Sequence, residues 1–290
     1  MPKVVDGHLH LFRKVSAEYP RIPIETMADA GREELAEKLL AAMGGAGVDH
    51  AIVVPLSKGD HYLRDVLARY PGRFAGVGIF DHDDPDDVAG VEARLDATDL
   101  QGFRFYGLAA GEGTTVDTVE CLPVLELMAD RGLVVWFYGD IVQLRLMDEI
   151  MRRLPDLRVV LNHAGYLPDM HAEMQIDEHR RPHFEVAMPP AGLPAVEVMA
   201  AEHPNLHVHF SGQYAFSSDP YPFRDQQIVG ERLLAAFGAD RMLMASDWPW
   251  IEFEPGYANA LGVLDHLLPD LSGVERGAIR GGTALSLFRF

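Results

Sequence analysis

Eight short runs rich in β-branched and aromatic residues recur along the 290-residue chain, and each is followed by a stretch with helical periodicity. The runs are VVDGHLHL (4–11), DHAIVVP (49–55), FAGVGIF (74–80), LQGFRFY (100–106), LVVWFYG (133–139), RVVLNHA (158–164), LHVHFSG (206–212) and RMLMASDWP (241–249). Between them, segments such as REELAEKLLAAMGGAG, YLRDVLARYPG and CLPVLELMADRG repeat apolar residues every three or four positions and close on Gly or Pro. Strict alternation demands parallel strands, because each helix carries the chain back to the edge where the strand began. Eight such units in a chain of this length predict an α/β protein: a closed (β/α)8 TIM barrel, one domain over 1–290, rather than an open sheet. Two connections are long, about 165–190 and 212–224, and fall on the face where barrel enzymes carry their chemistry.

In a barrel the reactive groups stand at the C-terminal ends of the strands. The first run places Asp6, His8 and His10 at alternate positions, so that all three are expected on one face. Arg104 stands at the end of the fourth run, Tyr138 of the fifth, His163 of the sixth, Ser211 of the seventh and Asp247 of the eighth. Any one of these has a structural explanation: Arg104 as an ion-pair partner, Tyr138 as a plug in the barrel mouth, Ser211 as a turn residue. Their joint recurrence at one end of every strand is harder to explain by packing. In the long connections His171, His179, Arg180, Arg181 and His183, with Gln213, Tyr214 and Arg224, are candidates to reach the mouth; His209 is a minor candidate inside it.

Composition excludes several partners. Lys and Arg total 25 against 44 Asp and Glu, a formal charge of −19 that repels nucleic acid and anionic membranes. The single cysteine, Cys121, rules out an intrachain disulfide framework or a multi-cysteine metal site and fits a cytoplasmic setting. No apolar run reaches the ~18 residues of a membrane span. A small-molecule substrate is the partner expected, and a homo-oligomer is compatible with the pattern although no segment announces an interface.

The ordered set DGHLH, NHAG, SDWPW and the closing RGGTALSLF resembles the amidohydrolase superfamily, in the branch that includes 2-pyrone-4,6-dicarboxylate lactonase and sugar lactonases. The resemblance implies a hydrolase in which Asp247 activates water and His8, His10 and His163 complete the catalytic set by hydrogen bonding to the developing oxyanion. Arg104 and Tyr138 are expected to hold the substrate, with Ser211 and Tyr214 as further candidate contacts. In metal-dependent members the paired histidines, a strand-five histidine and the aspartate hold a divalent ion. Here VVWFYGD has Tyr138 and no histidine, which favours chemistry without a cofactor. A single divalent metal such as zinc, on His8, His10 and Asp247 with His163 as a further ligand, stays the alternative.

After Arg104 the chain continues GLAAGEGTTVD, lacking the second arginine that dicarboxylate-binding members carry, so a less anionic substrate is expected unless Arg13, Lys14 or Arg21 compensates. The leading reading is lactonase-type hydrolysis of a small carboxylated or oxygenated lactone. A metal-dependent hydrolase or non-oxidative decarboxylase of the same superfamily, and a non-catalytic binding barrel, remain as alternatives.

Overall fold

The computed structural model describes residues 2–111, 113–165 and 174–290. Eight parallel strands form the barrel: β1 (Val5–His10), β2 (His50–Val54), β3 (Phe74–Ile79), β4 (Leu100–Tyr106), β5 (Val134–Tyr138), β6 (Arg158–Leu161), β9 (Leu206–Phe210) and β10 (Met242–Met244). A two-stranded hairpin, β7 (Gln175–Ile176) with β8 (Pro182–His183), interrupts the connection after β6. Helices α1 (Ala36–Ala46), α2 (His61–Arg69), α3 (Val88–Ala97), α4 (Leu122–Asp130) and α5 (Ile141–Arg153) follow the first five strands. Then come α6 (Leu193–Glu202), α7 (Gln213–Phe216), α8 (Gln227–Phe237), α9 (Tyr257–Leu267), α10 (Gly273–Gly277) and α11 (Thr283–Leu287). All eight strands expected from the sequence are present, in the predicted order.

Closure is made by the segment just beyond β10. Asp247 N donates to His8 O at 3.0 Å, and His10 N donates to Trp248 O at 2.8 Å, which seals the last strand against the first. The same bonds set Asp247 beside the two strand-one histidines, so barrel closure and site assembly are one event.

Two expectations change. Asp6 does not share a face with His8 and His10, because the register of β1 against β2 shifts between Asp6 and Leu9 and breaks the two-residue period. Asp6 instead accepts hydrogen bonds from Ser246 N at 2.8 Å and Ser246 Oγ at 2.5 Å, and burial raises its pKa to about 6. The first helix also begins later than REEL suggests, at Ala36, because Glu34 pairs with Phe12 in an antiparallel bridge.

The core has two layers. Val5, Ile52, Val54, Ala75, Val77, Ile79, Val134, Trp136, Val160 and Leu243 alternate inward along their strands and fill the barrel with mostly branched side chains. Their strand neighbours, Leu9, Ala51, Val53, Val135, Phe137, Val159 and Leu161, face the helices and join the larger outer cluster. Trp136 caps the inner layer, with its ring 5.1 Å from that of His8 and 4.6 Å from that of His209. Above it the interior turns polar.

At the other end of β9, His207 is buried, with Nδ1 3.2 Å from Asn205 O, and burial pulls its pKa down to about 4. The folded state therefore keeps His207 neutral where the unfolded chain, with an ordinary histidine near ~6.5, takes up a proton. The stability this supplies is present above ~6.5 and lost as pH falls towards 4, on the order of 3 kcal/mol. Replacing His207 by Gln is expected to flatten that acid slope, read as a smaller fall in the urea midpoint between neutral pH and pH 4.5. Parallel slopes in the two proteins would contradict this account.

Candidate active site

The polar mouth is built from β1, β4, β5 and the turns after β6, β9 and β10. Each histidine is oriented by its other ring nitrogen. Nδ1 of His10 lies 3.1 Å from Val54 O, which can only accept, so Nδ1 carries the proton and Nε2 presents a lone pair. Nε2 of His209 lies 3.1 Å from Gly7 O and donates to it by the same reasoning. His163 Nδ1 is 3.2 Å from Ser211 Oγ, and His8 Nδ1 is 3.4 Å from Asn162 Nδ2. Gly7 allows this approach: a Cβ there would stand 2.8 Å from Met244 O.

Asp247 is the centre of the group. Its Oδ2 accepts from Tyr214 Oη at 2.8 Å, while Oδ1 lies 3.5 Å from His10 Nε2 and 3.9 Å from His8 Nε2. Oδ1 accepts no hydrogen bond among the described residues although it is buried. Burial alone would raise the pKa of this carboxyl, but its polar neighbours, the donating Tyr214 hydroxyl among them, favour the charged form more strongly, and the net displacement is downward. Burial and the neighbouring carboxylate push Tyr214 well above the usual phenol range, which keeps it a donor. His163 is displaced the other way, to about 4, chiefly by burial. An ionised carboxylate thus shares the mouth with the neutral imidazole of His163.

Both His163 (φ 46°) and Asp247 (φ 61°) adopt left-handed backbone conformations. Non-glycine residues pay roughly 1–2 kcal/mol for this, and such strain concentrates at functional positions.

The chamber above these groups has a cavity volume of about 70 Å³. His10, Arg104, Tyr138, His163, Tyr214 and Asp247 line its floor, as the sequence reading expected. Ser211 does not: it is fully buried under His163 and positions that ring. His8 is likewise fully buried, behind Arg104 and His10.

The upper wall is mostly apolar. Met27, Leu56, Phe184, Phe216 and Trp250 supply most of it, with Tyr106 at the rim, and none of these was anticipated. Sequence patterning gave no signal for them, since apolar residues in long loops look like ordinary packing.

The charged residues of the long connection turn to one another instead. Arg181 and His183 pair with Asp177, Arg180 with Asp29, and His179 stacks on Phe253 with centroids 3.5 Å apart. Among the described residues of that segment, Met174, Pro182 and Phe184 face the chamber. His171 lies outside the described residues. Gln213 is buried off the chamber and Arg224 bonds to His266 O, so neither lines the site. Arg21 is consumed by the carbonyls of Arg13, Ala28, Asp29 and Arg32, and Arg13 by Glu33, so neither compensates for the missing second arginine. His82 accepts from Tyr106 N at 3.1 Å just beyond β3.

His8, His10 and Asp247 bring three ligand atoms within 4.8 Å of one another, a candidate metal group; His163 is not part of it, its Nδ1 being turned to Ser211. Arg104 decides the fit. Its Nη1 lies 3.3 Å from His8 Nε2 and 3.5 Å from His10 Nε2, so a guanidinium already sits against the lone pair of His10 that an ion would need at ~2.0–2.1 Å. The group does not accept a divalent cation unless Arg104 moves.

A parallel (β/α)8 barrel with an ionised carboxylate, several histidines and an arginine at its C-terminal mouth defines a hydrolytic barrel enzyme. The chain belongs to the amidohydrolase family, whose model matches residues 5–290. It is 27% identical over 256 residues to the L-fucono-1,5-lactonase of Burkholderia ambifaria, covering 84% of this chain and 80% of that one. Among solved structures, an amidohydrolase from Burkholderia multivorans with bound zinc is similar, at 23% identity and a TM-score of 0.75, over 98% of both chains. A candidate 2-pyrone-4,6-dicarboxylic acid hydrolase from Pseudomonas putida matches at 19% identity and a TM-score of 0.75, covering 99% of this chain and 97% of that one. The 5-carboxyvanillate decarboxylase of Sphingomonas paucimobilis matches at 16% identity and a TM-score of 0.65, over 99% of both chains.

Proposed function

We propose that this protein opens a small lactone by hydrolysis, with Asp247 as general base. The observation that carries the reading is the state of Asp247: a buried, ionised residue of the chamber lining, fixed through Oδ2 by Tyr214, and with Oδ1 beside His10 without a hydrogen-bond donor among the described residues. Such an oxygen can take a proton from water as the water oxygen attacks the lactone carbonyl. The tetrahedral oxyanion forms over the Arg104 guanidinium, whose positive charge opposes it, with the ring of His163 beside it. Collapse breaks the ring C–O bond, and the proton held by Asp247 passes to the departing alkoxide, leaving a hydroxy acid and an ionised aspartate.

Two histidine roles are revised by the geometry. His10 Nε2 is an acceptor, so His10 aims Arg104 and does not itself donate to the oxyanion. His8 supports Arg104 from behind. Similarity to the L-fucono-1,5-lactonase supports the reaction class. The largely apolar upper wall and the single chamber arginine support a lactone with at most one carboxylate.

The test is a panel of sugar-acid, alkyl and aryl lactones with and without one carboxylate, followed by acid release in weak buffer. Hydrolysis of a member with kcat/KM near or above ~10⁴ M⁻¹s⁻¹ is the expected result. The His8, His10 and Asp247 group favours a metal-dependent decarboxylase as second reading. No lactone opened, with CO2 released from a hydroxybenzoate, would replace the first reading by that one.

A further inference from the structure

We propose that Arg104 is the resident cation of this site: its guanidinium sits against the Nε2 atoms of His8 and His10 and excludes the divalent ion that those side chains and Asp247 would otherwise bind. The distances carry the argument. One nitrogen, Nη1, lies within 3.3 Å of His8 Nε2 and 3.5 Å of His10 Nε2, while those same two ring nitrogens lie 3.9 and 3.5 Å from Asp247 Oδ1. With Nδ1–H of His10 committed to Val54 O, the Nε2 lone pair that receives Arg104 is the one a metal would use.

Arg104 is also locked in place. It lies on β4 in register with Ile79 of β3 and Trp136 of β5, so its backbone is held from both sides. Its guanidinium lies 4.7 Å from the ring centroid of Tyr106, and the side chain is only 2% exposed. No carboxylate lies within ion-pair distance of it among the described residues, and Nε has no partner there. A buried cation without a counter-ion would be a liability in a packing role. Beside the imidazoles of His8 and His10 it does the electrostatic work of an ion, at a fixed charge of one, and repels any second cation.

The test reads metal binding and does not depend on which substrate is opened, so it can fail while the lactonase reading stands, and the reverse. Zinc is titrated calorimetrically into the wild-type protein, Arg104→Met and Arg104→Gln, all carrying His203→Asn to remove the separate Asp148, Glu202 and His203 group. Cobalt absorption is recorded in parallel. Wild type is expected to take up no stoichiometric zinc, whereas both variants bind about one zinc per chain at least ~100-fold more tightly, with visible cobalt bands that His10→Asn removes. Folded variants that bind no better than wild type would overturn the proposal. So would wild-type protein that binds one zinc sensitive to His10→Asn; that arm decides the matter even if both Arg104 variants fail to fold.

Discussion

Asp247→Asn is expected to lower kcat by about 10²–10⁴-fold, with KM changed little and the fold retained. The substitution keeps shape and backbone. Asn is among the few residues that tolerate the left-handed conformation required here, at φ 61°, so no new backbone cost arises. Its amide oxygen can still accept from Tyr214, preserving the 2.8 Å contact, and its amide nitrogen then faces the lone pair of His10 Nε2. What disappears is the lone pair on Oδ1 and with it the ability to take a proton from water. Steady-state kinetics on the lactone identified by the panel, with circular dichroism as control, would check this. Activity within tenfold of wild type would remove Asp247 as the base.

How much of this was legible beforehand depends on the period of each signal. The barrel was, because strand and helix periods alternate eight times and parallel strands leave few topologies. His8, His10, Arg104, His163 and Asp247 were, because each stands at a strand end where a barrel places its chemistry. Asp6 was misplaced because a bulge breaks the alternation, and a bulge is a local register choice made by strand neighbours distant in sequence. Ser211 was given the wrong partner for a related reason: strand position says that a side chain lies near the mouth, but not whether it meets substrate or the ring above it.

The loops were read least well, and charge misled. His179, Arg180, Arg181 and His183 looked like a cationic lining, yet pairing with Asp177, Asp29 and Glu254 satisfies Arg180, Arg181 and His183 outside the chamber while His179 packs on Phe253. A buried unpaired charge is costly, so a loop over an apolar chamber turns its ions outward and its Met, Pro and Phe inward. The exception is Arg104, held inside by two imidazoles, and that exception is what separates this site from an ordinary metal-binding one.

Gly102→Ala is expected to be severely destabilising, costing roughly 4 kcal/mol or more and leaving little folded protein at 37 °C. A Cβ at this position would stand 2.2 Å from Val134 O and 3.1 Å from Val134 C, overlapping backbone that cannot rotate away. Both residues sit in the middle of the sheet, where β4 is paired with β3 and β5, and β5 with β6, so relief in one direction breaks a ladder in the other. Gly45 provides the contrast. Within α1 an added methyl there meets nothing within 4 Å, and Gly45→Ala should stabilise by about 0.5–1 kcal/mol through helix propensity. Urea unfolding of the pair separates the effects of space from those of glycine as such. Because Arg104 follows Gly102 by two residues on the same strand, any Gly102→Ala protein that does fold should also show a displaced guanidinium, and with it a loss of turnover out of proportion to its residual structure. A Gly102→Ala variant as stable and active as wild type would mean that β4 and β5 can separate locally at no cost, and the rigid placement of Arg104 would fall with it.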